Sequence, residues 1–474
     1  MEARMTCPLI IGGRKVRTAA SLEVMNPAIA EVHASCPLGT VAELDQAVAA
    51  AKAAFGDWSA RPDAERRAAL ERVADLIEVH AAQLADLIIA EQGKPRSGPG
   101  AAFEVGGCIA WTRATAALEA GPEILIDTAE ERVELLREPV GVVACITPWN
   151  WPLMIAIWHI MPALRVGCTV VIKPSPYTPL STLRLVELID DAGIFPPGVL
   201  NAVTGDAEVG DRISVHPDID KITFTGSAAT GRRVMERAGR TLKRLTLELG
   251  GNDAGIVLPG TDMSARMEDL FWGAFINAGQ TCSCLKRLYV HERDYDALCD
   301  GLARFVSAIR VGPGTDPETL VGPLSNRMQF DKVIALVEDA RDRGARILTG
   351  GKPLGTGYLY PLTIVADATE DMRVVAEEQF GPVLPVIRYT DLDQAVQAAN
   401  ALEYGLGASV WGDDAEEAAR VARRLVAGTR WVNRHGVLNP AVPMGGVKQS
   451  GIGVEFGVEG LHEYTTVQVL SVKK

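Results

Sequence analysis

Short runs of apolar residues alternate with helical patterns between residues 140 and 249, and this alternation constrains the fold more than any other feature. The runs cover residues 140–146, 169–172, 199–203, 221–224 and 246–249. Strands that are apolar throughout and separated by helices are typical of a parallel sheet covered on both faces. The pattern therefore predicts an α/β fold with a sheet of the nucleotide-binding kind.

A second alternating series begins at Gly255 and continues to about residue 432. Its apolar runs cover residues 256–258, 288–290, 345–348, 383–387 and 408–410. We predict a second α/β domain from this series. Residues 130–137 and 464–472 alternate polar with apolar side chains, which is typical of exposed strands. We expect these two strands to be used in assembly.

Composition excludes several classes of protein. The chain of 474 residues has a net charge of −13 with its basic residues spread among acids, so we expect no nucleic-acid partner. A hydrophobic content of 47% with 23% charged residues is typical of a globular protein and not of a membrane protein. The N-terminus has no apolar core of signal-peptide length, so we expect a cytoplasmic protein. The eight cysteines and seven histidines lack disulfide-framework or ligand spacing, so we predict reduced thiols and no metal.

Cys282 is the first candidate for chemistry. It follows a glycine-containing turn in the stretch Asn277-Ala278-Gly279-Gln280-Thr281-Cys282-Ser283-Cys284, and an apolar segment, residues 271–276, precedes the turn. A thiol held at the end of a packed segment can act as a nucleophile, because sulfur is the best side-chain nucleophile near neutral pH. The same pattern also suits a buried, inert cysteine.

Three polar residues stand near the ends of predicted strands. Glu248 lies among apolar residues and before two glycines, so burial would raise its pKa toward the value that a general base requires; a structural acid is the alternative. Asn150 could donate to a developing oxyanion or could cap a turn. Lys173 ends a buried strand, at the edge where open α/β sheets bind ligands, although such a lysine is commonly only solvated.

The segment from Phe224 to Gly231 passes from a strand into a helix. Free amides at such a helix start can hold a pyrophosphate, and a plain turn is the alternative. The usual Gly-x-Gly-x-x-Gly fingerprint is absent from the sequence. The spacing of Gly226 and Gly231 imitates a phosphate-binding loop of NTPases, but Arg232 and Arg233 stand where that loop needs lysine and a hydroxyl. An NTPase is therefore excluded.

Eight motifs follow one another in the order of a known family. They are Pro148-Trp149-Asn150, Lys173-Pro174-Ser175, Phe224-Thr225-Gly226-Ser227, Glu248-Leu249-Gly250-Gly251, Asn277 to Cys282, Glu378-Gln379-Phe380-Gly381-Pro382, Tyr404-Gly405-Leu406 and Pro443-Met444-Gly445-Gly446. On these motifs the chain resembles the aldehyde dehydrogenase superfamily along essentially its whole length. With this resemblance we predict a Rossmann-like cofactor domain, a catalytic α/β domain and a small β element for oligomerisation. The predicted bounds are 1–118 with 139–249, 250–445, and 119–138 with 463–474, in a homodimer or homotetramer.

The resemblance implies a role for each motif residue. Cys282 would attack the aldehyde carbon, and Asn150 with the backbone amide of Cys282 would stabilise the oxyanion. After hydride transfer to the nicotinamide of NAD(P), Glu248 would activate the water that hydrolyses the thioester. The resemblance assigns the pyrophosphate to Gly226, Ser227 and Gly231, the adenosine ribose to Lys173, the nicotinamide ribose to Glu378 with Phe380 nearby, and further cofactor contacts to Trp149, Ser175 and Leu249.

Several positions depart from the family pattern. Many NAD-preferring members have a glutamate where this chain has Pro176, so we expect NAD as the cofactor with NADP tolerated. His159 stands where many members have lysine, which leaves open the proton route from Glu248 toward Glu455. Met444 replaces the usual phenylalanine and would soften a pocket wall. Cys284 could form a redox pair with Cys282, but an ordinary small residue is the favoured interpretation.

The predicted substrate is an uncharged aliphatic or aromatic aldehyde. Residues 282–284 and 287–290 resemble the succinate semialdehyde branch, yet Trp158 and Ile276 occupy the positions of that branch's two carboxylate-binding arginines. Burying a carboxylate without a cation is costly. The predicted pocket consists of Trp151, Ile155, Trp158, Ile276, Leu438 and Met444. A polar or carboxylate-bearing semialdehyde is the alternative, because Arg434 and His435 are expected near the mouth.

Other functions fit the same residues less well. An acylating enzyme that passes the thioester to coenzyme A generally lacks the deacylating glutamate, whereas Glu248 is present. A thiol hydrolase needs a histidine base, and no histidine has a signature that links it to Cys282. A non-catalytic structural relative would have no reason to retain Cys282, Glu248 and Asn150 together.

Overall fold

The computed structural model describes residues 7–119 and 121–474. Its first part consists of six strands and four helices. They are β1 (Leu9–Ile11), β2 (Arg14–Val16), β3 (Ser21–Asn26), β4 (Glu31–Pro37), α1 (Val41–Ser59), α2 (Asp63–Val79), α3 (Ala81–Gln92), α4 (Ala101–Ala117), β5 (Glu123–Asp127) and β6 (Glu131–Pro139). Thr40 caps α1, because its hydroxyl accepts from the Ala42 N–H while Glu43 accepts from the Thr40 N–H.

Alternating strands and helices then form the first large sheet. They are β7 (Val142–Ile146), α5 (Pro152–Val166), β8 (Thr169–Lys173), α6 (Leu180–Asp191), β9 (Leu200–Ala202), α7 (Ala207–Val215), β10 (Lys221–Thr225), α8 (Ala228–Ala238) and β11 (Arg244–Glu248). All residues of β8, β9 and β10 are buried, as the apolar runs predict for strands that are covered on both faces.

A second alternating series forms the second large sheet. It comprises β12 (Asp253–Val257), α9 (Met267–Phe275), β13 (Leu285–His291), α10 (Glu292–Ser307), α11 (Arg327–Asp342), β14 (Arg346–Thr349), β15 (Thr363–Ala366), α12 (Arg373–Ala376), β16 (Val383–Tyr389), α13 (Leu392–Ala401), β17 (Gly407–Trp411), α14 (Ala415–Ala422) and β18 (Thr429–Val432). The strand order is β14-β15-β16-β13-β12-β17-β18, parallel except for β14 at one edge.

The C-terminal part returns to the first sheet before it ends. It contains β19 (Gly451–Ile452), α15 (Gly457–His462) and β20 (Thr465–Lys473). The first sheet has the order β19-β11-β10-β7-β8-β9-β1-β2, in which β7 to β11 are parallel and the edge strands are antiparallel. Strand β20 pairs with β6 along its full length, and β5 completes this three-stranded sheet. The predicted α/β class with a small β element is confirmed, whereas the predicted domain bounds stay a prediction.

The two large sheets face each other through opposite ends of their strands. Strand β11 ends at Glu248 and β12 begins at Asp253, so residues 249–252 connect the sheets directly, without a helix. The carboxyl edge of the first sheet therefore lies against the amino edge of the second. Loops from both sheets meet in this cleft.

Candidate active site

Four of the predicted site segments lie along one edge of the first sheet. Strands β7, β8, β10 and β11 are parallel neighbours, so their carboxyl ends lie side by side. Ile146 at the end of β7 is the register partner of both Lys173 and Phe224, and Thr225 is the partner of Glu248. Lys173, the turn after β7, the start of α8 and Glu248 therefore share this edge.

Three consecutive residues with positive φ form the turn before Cys282. Asn277, Ala278 and Gly279 have φ values of 51°, 56° and 70°. Left-handed backbone is unfavourable for a residue such as Ala278, so its surroundings must hold the turn. Gln280 does this by donating its side-chain amide to the Asn277 carbonyl at 3.0 Å. The chain therefore reaches Cys282 in a fixed direction, just before β13.

Cys282 differs from the other cysteines in its exposure. All eight cysteines are free, and Cys282 is the one that is not fully buried. The surrounding protein still raises the pKa of its thiol to about 12, chiefly by burial of the sulfur; Lys286 lowers this pKa, and nearby carboxylates such as Glu248 and Glu378 add smaller increases. The thiol is therefore protonated at neutral pH. The neighbouring Cys284 is buried, and its sulfur lies against the Ile276 carbonyl at 3.9 Å.

Asn150 is tied to the turn that carries Cys282. Its Nδ2 donates to the Gln280 carbonyl at 2.9 Å, and its own carbonyl accepts from Asn277 Nδ2 at 2.8 Å. The side-chain amide has two hydrogens, so one remains for another acceptor. The N–H of Cys282 donates to no acceptor in the part of the chain that the structure describes. Two donors are therefore available beside the thiol.

A buried ion pair, which was not predicted from the sequence, supports the turn that contains Asn150. Lys94 and Glu104 form a salt bridge with both side chains fully buried. Glu104 accepts from the backbone N–H groups of Leu153 and Met154 at 2.9 and 3.1 Å, which satisfies the start of α5. Lys94 donates to the Asn150 carbonyl at 2.8 Å. Glu104 lies in a helical pattern and Lys94 in the loop after α3, and charged residues in both settings are usually solvated, so this pair could not be predicted from the sequence.

Glu248 is a buried carboxyl with an unsatisfied oxygen. Its Oε1 has no hydrogen-bond partner among the described residues. Burial raises the pKa of Glu248 well above its ordinary value, and the negative charges of Glu455 and Glu463 raise it further. The Nε2 atom of His159 lies 3.0 Å from a Glu455 oxygen and 3.0 Å from the Thr225 hydroxyl. A polar path thus leads from Glu455 to the register partner of Glu248.

The start of α8 fits a pyrophosphate. Ser227 caps this helix by accepting from the Thr230 N–H at 3.3 Å. A Cβ at Gly226 would lie 2.6 Å from the Phe224 ring, and a Cβ at Gly231 would lie 2.5 Å from Leu249. A larger residue at either position would clash with these side chains, so both positions require glycine. The backbone amides at this helix end then remain accessible to an anion.

The residues that the resemblance assigns to the adenosine ribose lie at the end of β8. Burial lowers the pKa of Lys173 to about 8, and its ammonium makes no hydrogen bond or ion pair within the described chain. Ser175 is buried and accepts from the Tyr177 N–H at 3.3 Å. Pro176 between them is exposed. An unpaired, largely buried ammonium fits an oxygen-rich ligand at this edge.

The segment around Glu378 faces the first sheet from the other side of the cleft. Oε1 of Glu378 accepts from the Gly251 N–H at 3.1 Å and from Lys286 Nζ at 2.9 Å. Phe380 has a left-handed backbone with φ 51°. Its ring meets that of Trp149 edge to face with centroids 5.3 Å apart. Phe380 and Trp149 are therefore brought together beside Glu378, across the cleft between the two sheets.

A cavity of about 380 Å³ opens beside Cys282. Five of the six predicted pocket residues line it: Trp151, Ile155, Trp158, Ile276 and Leu438. The structure adds further apolar side chains that the sequence had suggested only as helix core, namely Phe103, Trp111, Met154 and Trp272. The cavity wall is therefore more aromatic than predicted.

Met444 is the predicted pocket residue that the structure places elsewhere. It does not line the cavity; it is buried, and its backbone N–H donates to the Glu455 carbonyl at 2.8 Å. The Glu455 N–H donates back to the Met444 carbonyl at 2.7 Å, so the two residues form an isolated antiparallel bridge. His435 reaches the lining, but its ring is buried with Nδ1 2.9 Å from the Ser409 hydroxyl. Arg434 is exposed at the rim.

Comparison with known proteins agrees with this site. The sequence profile of the aldehyde dehydrogenase family matches residues 15–470. The chain belongs to this family. It is 38% identical to the putative aldehyde dehydrogenase DhaS of Bacillus subtilis (strain 168), over 98% of this chain and 95% of the relative. It is 37% identical to phenylacetaldehyde dehydrogenase of Pseudomonas fluorescens, over 99% of this chain and 96% of the relative. The NAD+ complex of aldehyde dehydrogenase from Bacillus cereus superimposes with a TM-score of 0.95 at 36% identity, over 99% of this chain and 97% of that one.

As an aldehyde dehydrogenase, the protein oxidises small aldehydes with NAD(P). Within the described ranges, 7–119 and 121–474, no three or more His, Cys, Asp or Glu side chains are grouped to hold a metal ion. The same part of the chain has no helix that is long and apolar enough to cross a membrane. The cytoplasmic location stays a prediction.

The pH profile of this aldehyde dehydrogenase tests the environment of Glu248. With Glu248 as the general base, the charged form is active, so the turnover rate rises as pH rises through its pKa. Glu455→Gln removes a negative charge that raises this pKa. We therefore expect the rising limb of kcat to move to lower pH, by about one unit.

Turnover is measured from the absorbance of reduced nicotinamide at saturating substrate and cofactor. Glu459→Gln, an exposed acid on the same C-terminal segment, is the matched control and should leave the profile unchanged. A limb that stays in place in Glu455→Gln would show that Glu455 does not act on the group that limits turnover.

Proposed function

We propose that this aldehyde dehydrogenase oxidises an uncharged aliphatic or aromatic aldehyde to the carboxylic acid. The cavity beside Cys282 carries this proposal, because its wall is formed largely by aromatic and aliphatic side chains. In the described chain its charged lining residues are Asp269 and Arg434, both exposed at the rim. A carboxylate deep in the cavity would have no cation to pair with and would be costly to bury. The likeness to phenylacetaldehyde dehydrogenase supports an aromatic substrate.

The geometry supports a sequence of steps on the chain's own residues. The Cys282 sulfur attacks the aldehyde carbon while the thiol proton passes to water, and the thiohemiacetal oxyanion forms. The free hydrogen of the Asn150 amide and the Cys282 N–H donate to the oxyanion. The residues proposed to hold NAD(P) would place a hydride acceptor at this carbon, and loss of the hydride would leave a thioester on Cys282. Glu248 then removes a proton from the water that hydrolyses the thioester.

A panel of aldehydes tests the substrate class. We expect phenylacetaldehyde and hexanal to be oxidised with a kcat/KM at least about 100-fold above that for succinate semialdehyde, because desolvating an unpaired carboxylate costs several kcal/mol. Reduced nicotinamide is followed by absorbance, with Cys282→Ala as the control that abolishes turnover. Preference for succinate semialdehyde over every neutral aldehyde would contradict the proposal and favour the semialdehyde alternative, in which Arg434 at the rim binds the carboxylate.

One substitution in the cavity sharpens this test. Ile276→Arg places a cation in the wall, so we expect it to raise kcat/KM for succinate semialdehyde about tenfold or more and to lower it for hexanal. Ile276→Met keeps the wall apolar and is the matched control. Equal effects of both variants on the two substrates would show that the charge of the wall does not select the substrate.

We also propose that NAD is the preferred cofactor and that NADP is tolerated. Pro176 is exposed beside Lys173, and it carries neither a charge nor a donor that would act on the adenosine ribose. A carboxylate at this position would repel a 2′-phosphate and accept hydrogen bonds from ribose hydroxyls. Lys173 has no anionic partner of its own in hydrogen-bonding distance among the described residues, so an added phosphate would meet a free ammonium.

The tolerance for NADP can be tested at this one position. Pro176→Glu is expected to lower kcat/KM for NADP about tenfold relative to NAD, through charge repulsion near the surface. Pro176→Gln offers a similar shape without the charge and is the matched control. Kinetics with both cofactors at one ionic strength provide the ratio; an unchanged ratio in Pro176→Glu would place the 2′-position away from residue 176.

We propose that copies of this chain assemble through the sheet of β5, β6 and β20. Its strands expose apolar side chains on both faces: Ile124 and Leu470 lie on the face of Glu134, and Val467 and Val469 lie on the face of Leu135. Exposed apolar surface of this kind marks an interface. The resemblance to oligomeric family members gives a dimer or tetramer as the product.

Charge on this sheet is expected to weaken the assembly. The double variant Val467→Lys/Val469→Lys places two cations on one face of β20 and should lower the particle mass measured by size-exclusion chromatography with light scattering. Val79→Lys, on the exposed side of α2, is the control for added charge. An unchanged particle mass in the double variant would show that the interface between copies lies on another surface.

A further inference from the structure

Lys286 is a buried lysine that the sequence motifs did not single out. It is the second residue of β13, and its side chain is 3% exposed. Its Nζ lies within hydrogen-bonding distance of three acceptors: the Cys282 carbonyl at 2.6 Å, the Gly251 carbonyl at 2.8 Å and Oε1 of Glu378 at 2.9 Å. An ammonium has three hydrogens, so all of its donors are used.

The three acceptors belong to three different segments of the site. Cys282 follows the turn after α9, Gly251 lies in the connection between the two large sheets, and Glu378 precedes β16. The Lys286 ammonium is also 5.5 Å from the centroid of the Phe380 ring. One cation therefore links the thiol loop to the segment proposed to meet the nicotinamide end of the cofactor.

The two oxygens of Glu378 have different partners. Oε1 accepts from both Lys286 and the Gly251 N–H. Oε2 accepts no hydrogen bond from any residue in the described chain, although the carboxylate is largely enclosed. Lys286 thus fixes one oxygen and leaves the other to accept from a ligand. A freely rotating carboxylate would lose side-chain entropy on binding, whereas a fixed one has already lost it.

We propose that Lys286 is a positioning residue that orients Glu378 for the nicotinamide ribose and at the same time supplies a positive charge beside the loop that carries the Cys282 thiol. This inference rests on the proposed function, because it assigns Glu378 to the cofactor and Cys282 to the chemistry. Lys286 is an additional site residue, because it contacts both Glu378 and the Cys282 carbonyl.

The charges around the thiol support the second part. Burial lowers the pKa of Lys286, but Glu378 and Asp253 more than compensate, so the group stays charged. The groups that act on Cys282 are Glu248, Asp253, Glu378 and Lys286, and Lys286 alone among them lowers the pKa of the thiol. Removing this ammonium leaves only carboxylates in that set.

Two measurements without turnover test the inference. Binding of NAD by calorimetry reports on Glu378, and the rate of alkylation by iodoacetamide between pH 7 and 9, without cofactor, reports on Cys282. For Lys286→Met we expect an NAD Kd raised about tenfold or more and an alkylation rate lowered about threefold or more at each pH, because the thiolate fraction falls. A lysine that only stabilises the fold would change the melting temperature and leave both readouts in place.

Further variants keep the test independent of folding. Lys286→Arg retains the charge but not the geometry, so its alkylation rate should stay near that of the parent protein while its NAD Kd rises. Lys243 is the matched control: it too is a buried lysine bound to backbone carbonyls, of His216 and Ile219, and Lys243→Met should leave both readouts unchanged. If Lys286→Met does not fold, Lys286→Arg and Glu378→Gln supply the comparison.

A double-mutant cycle decides whether Lys286 acts through Glu378. With Glu378→Gln present, Lys286→Met should raise the NAD Kd by less than about threefold, because the carboxylate it orients is gone. Additive effects in the cycle, or an NAD Kd and alkylation profile in Lys286→Met equal to those of the parent, would overturn the inference. Failure of the parent protein to oxidise any aldehyde would instead overturn the proposed function.

Discussion

The direct connection between the two large sheets sets the geometry of the site. The chain leaves β11 at Glu248 and enters β12 at Asp253 within one short segment, so the carboxyl edge of one sheet must face the amino edge of the other. Gly251 lies at the closest approach, where a Cβ would be 2.8 Å from the Cys282 carbonyl. The thiol loop can pass this close only because the connection has glycine there. The candidate base and the candidate nucleophile, far apart in sequence, are thereby brought to one cleft.

The sequence predicted the central strands of both sheets because these strands are covered on both faces and are apolar throughout. Strand β15 was not predicted, although its four residues are all buried, since a run this short resembles a core segment of any kind. Strand β19 has only two residues and pairs with the end of β11. Its position depends on the path of the whole C-terminal segment, which no local pattern encodes.

Local motifs located the site, and tertiary packing determined its walls. Cys282, Asn150 and Glu248 lie in loops and strand ends whose sequences are distinctive, and the structure brings their segments to one cleft. Phe103 and Trp111 were indistinguishable from helix core, because a side chain on α4 faces a cavity or a packed neighbour according to the placement of other elements. Met444 shows the reverse: its motif position suggested a pocket wall, but the residue is buried outside the cavity lining, where its backbone pairs with Glu455.

Buried lysines accompany the acids that hold other groups in position, whereas the acid that we expect to transfer a proton, Glu248, has none among the described residues. Glu104 and Glu378 each have a buried lysine within salt-bridge distance, and each also accepts hydrogen bonds from backbone amides. A carboxylate with this support is held rigidly, which suits a group that holds a turn or a ligand. In the part of the chain that the structure describes, Glu248 has no such cation and keeps an unsatisfied oxygen, and its pKa is well above its ordinary value. A general base must take a proton from water and release it again. It therefore functions better without a cation partner, because a carboxylate paired with a cation would be too poor a base near neutral pH.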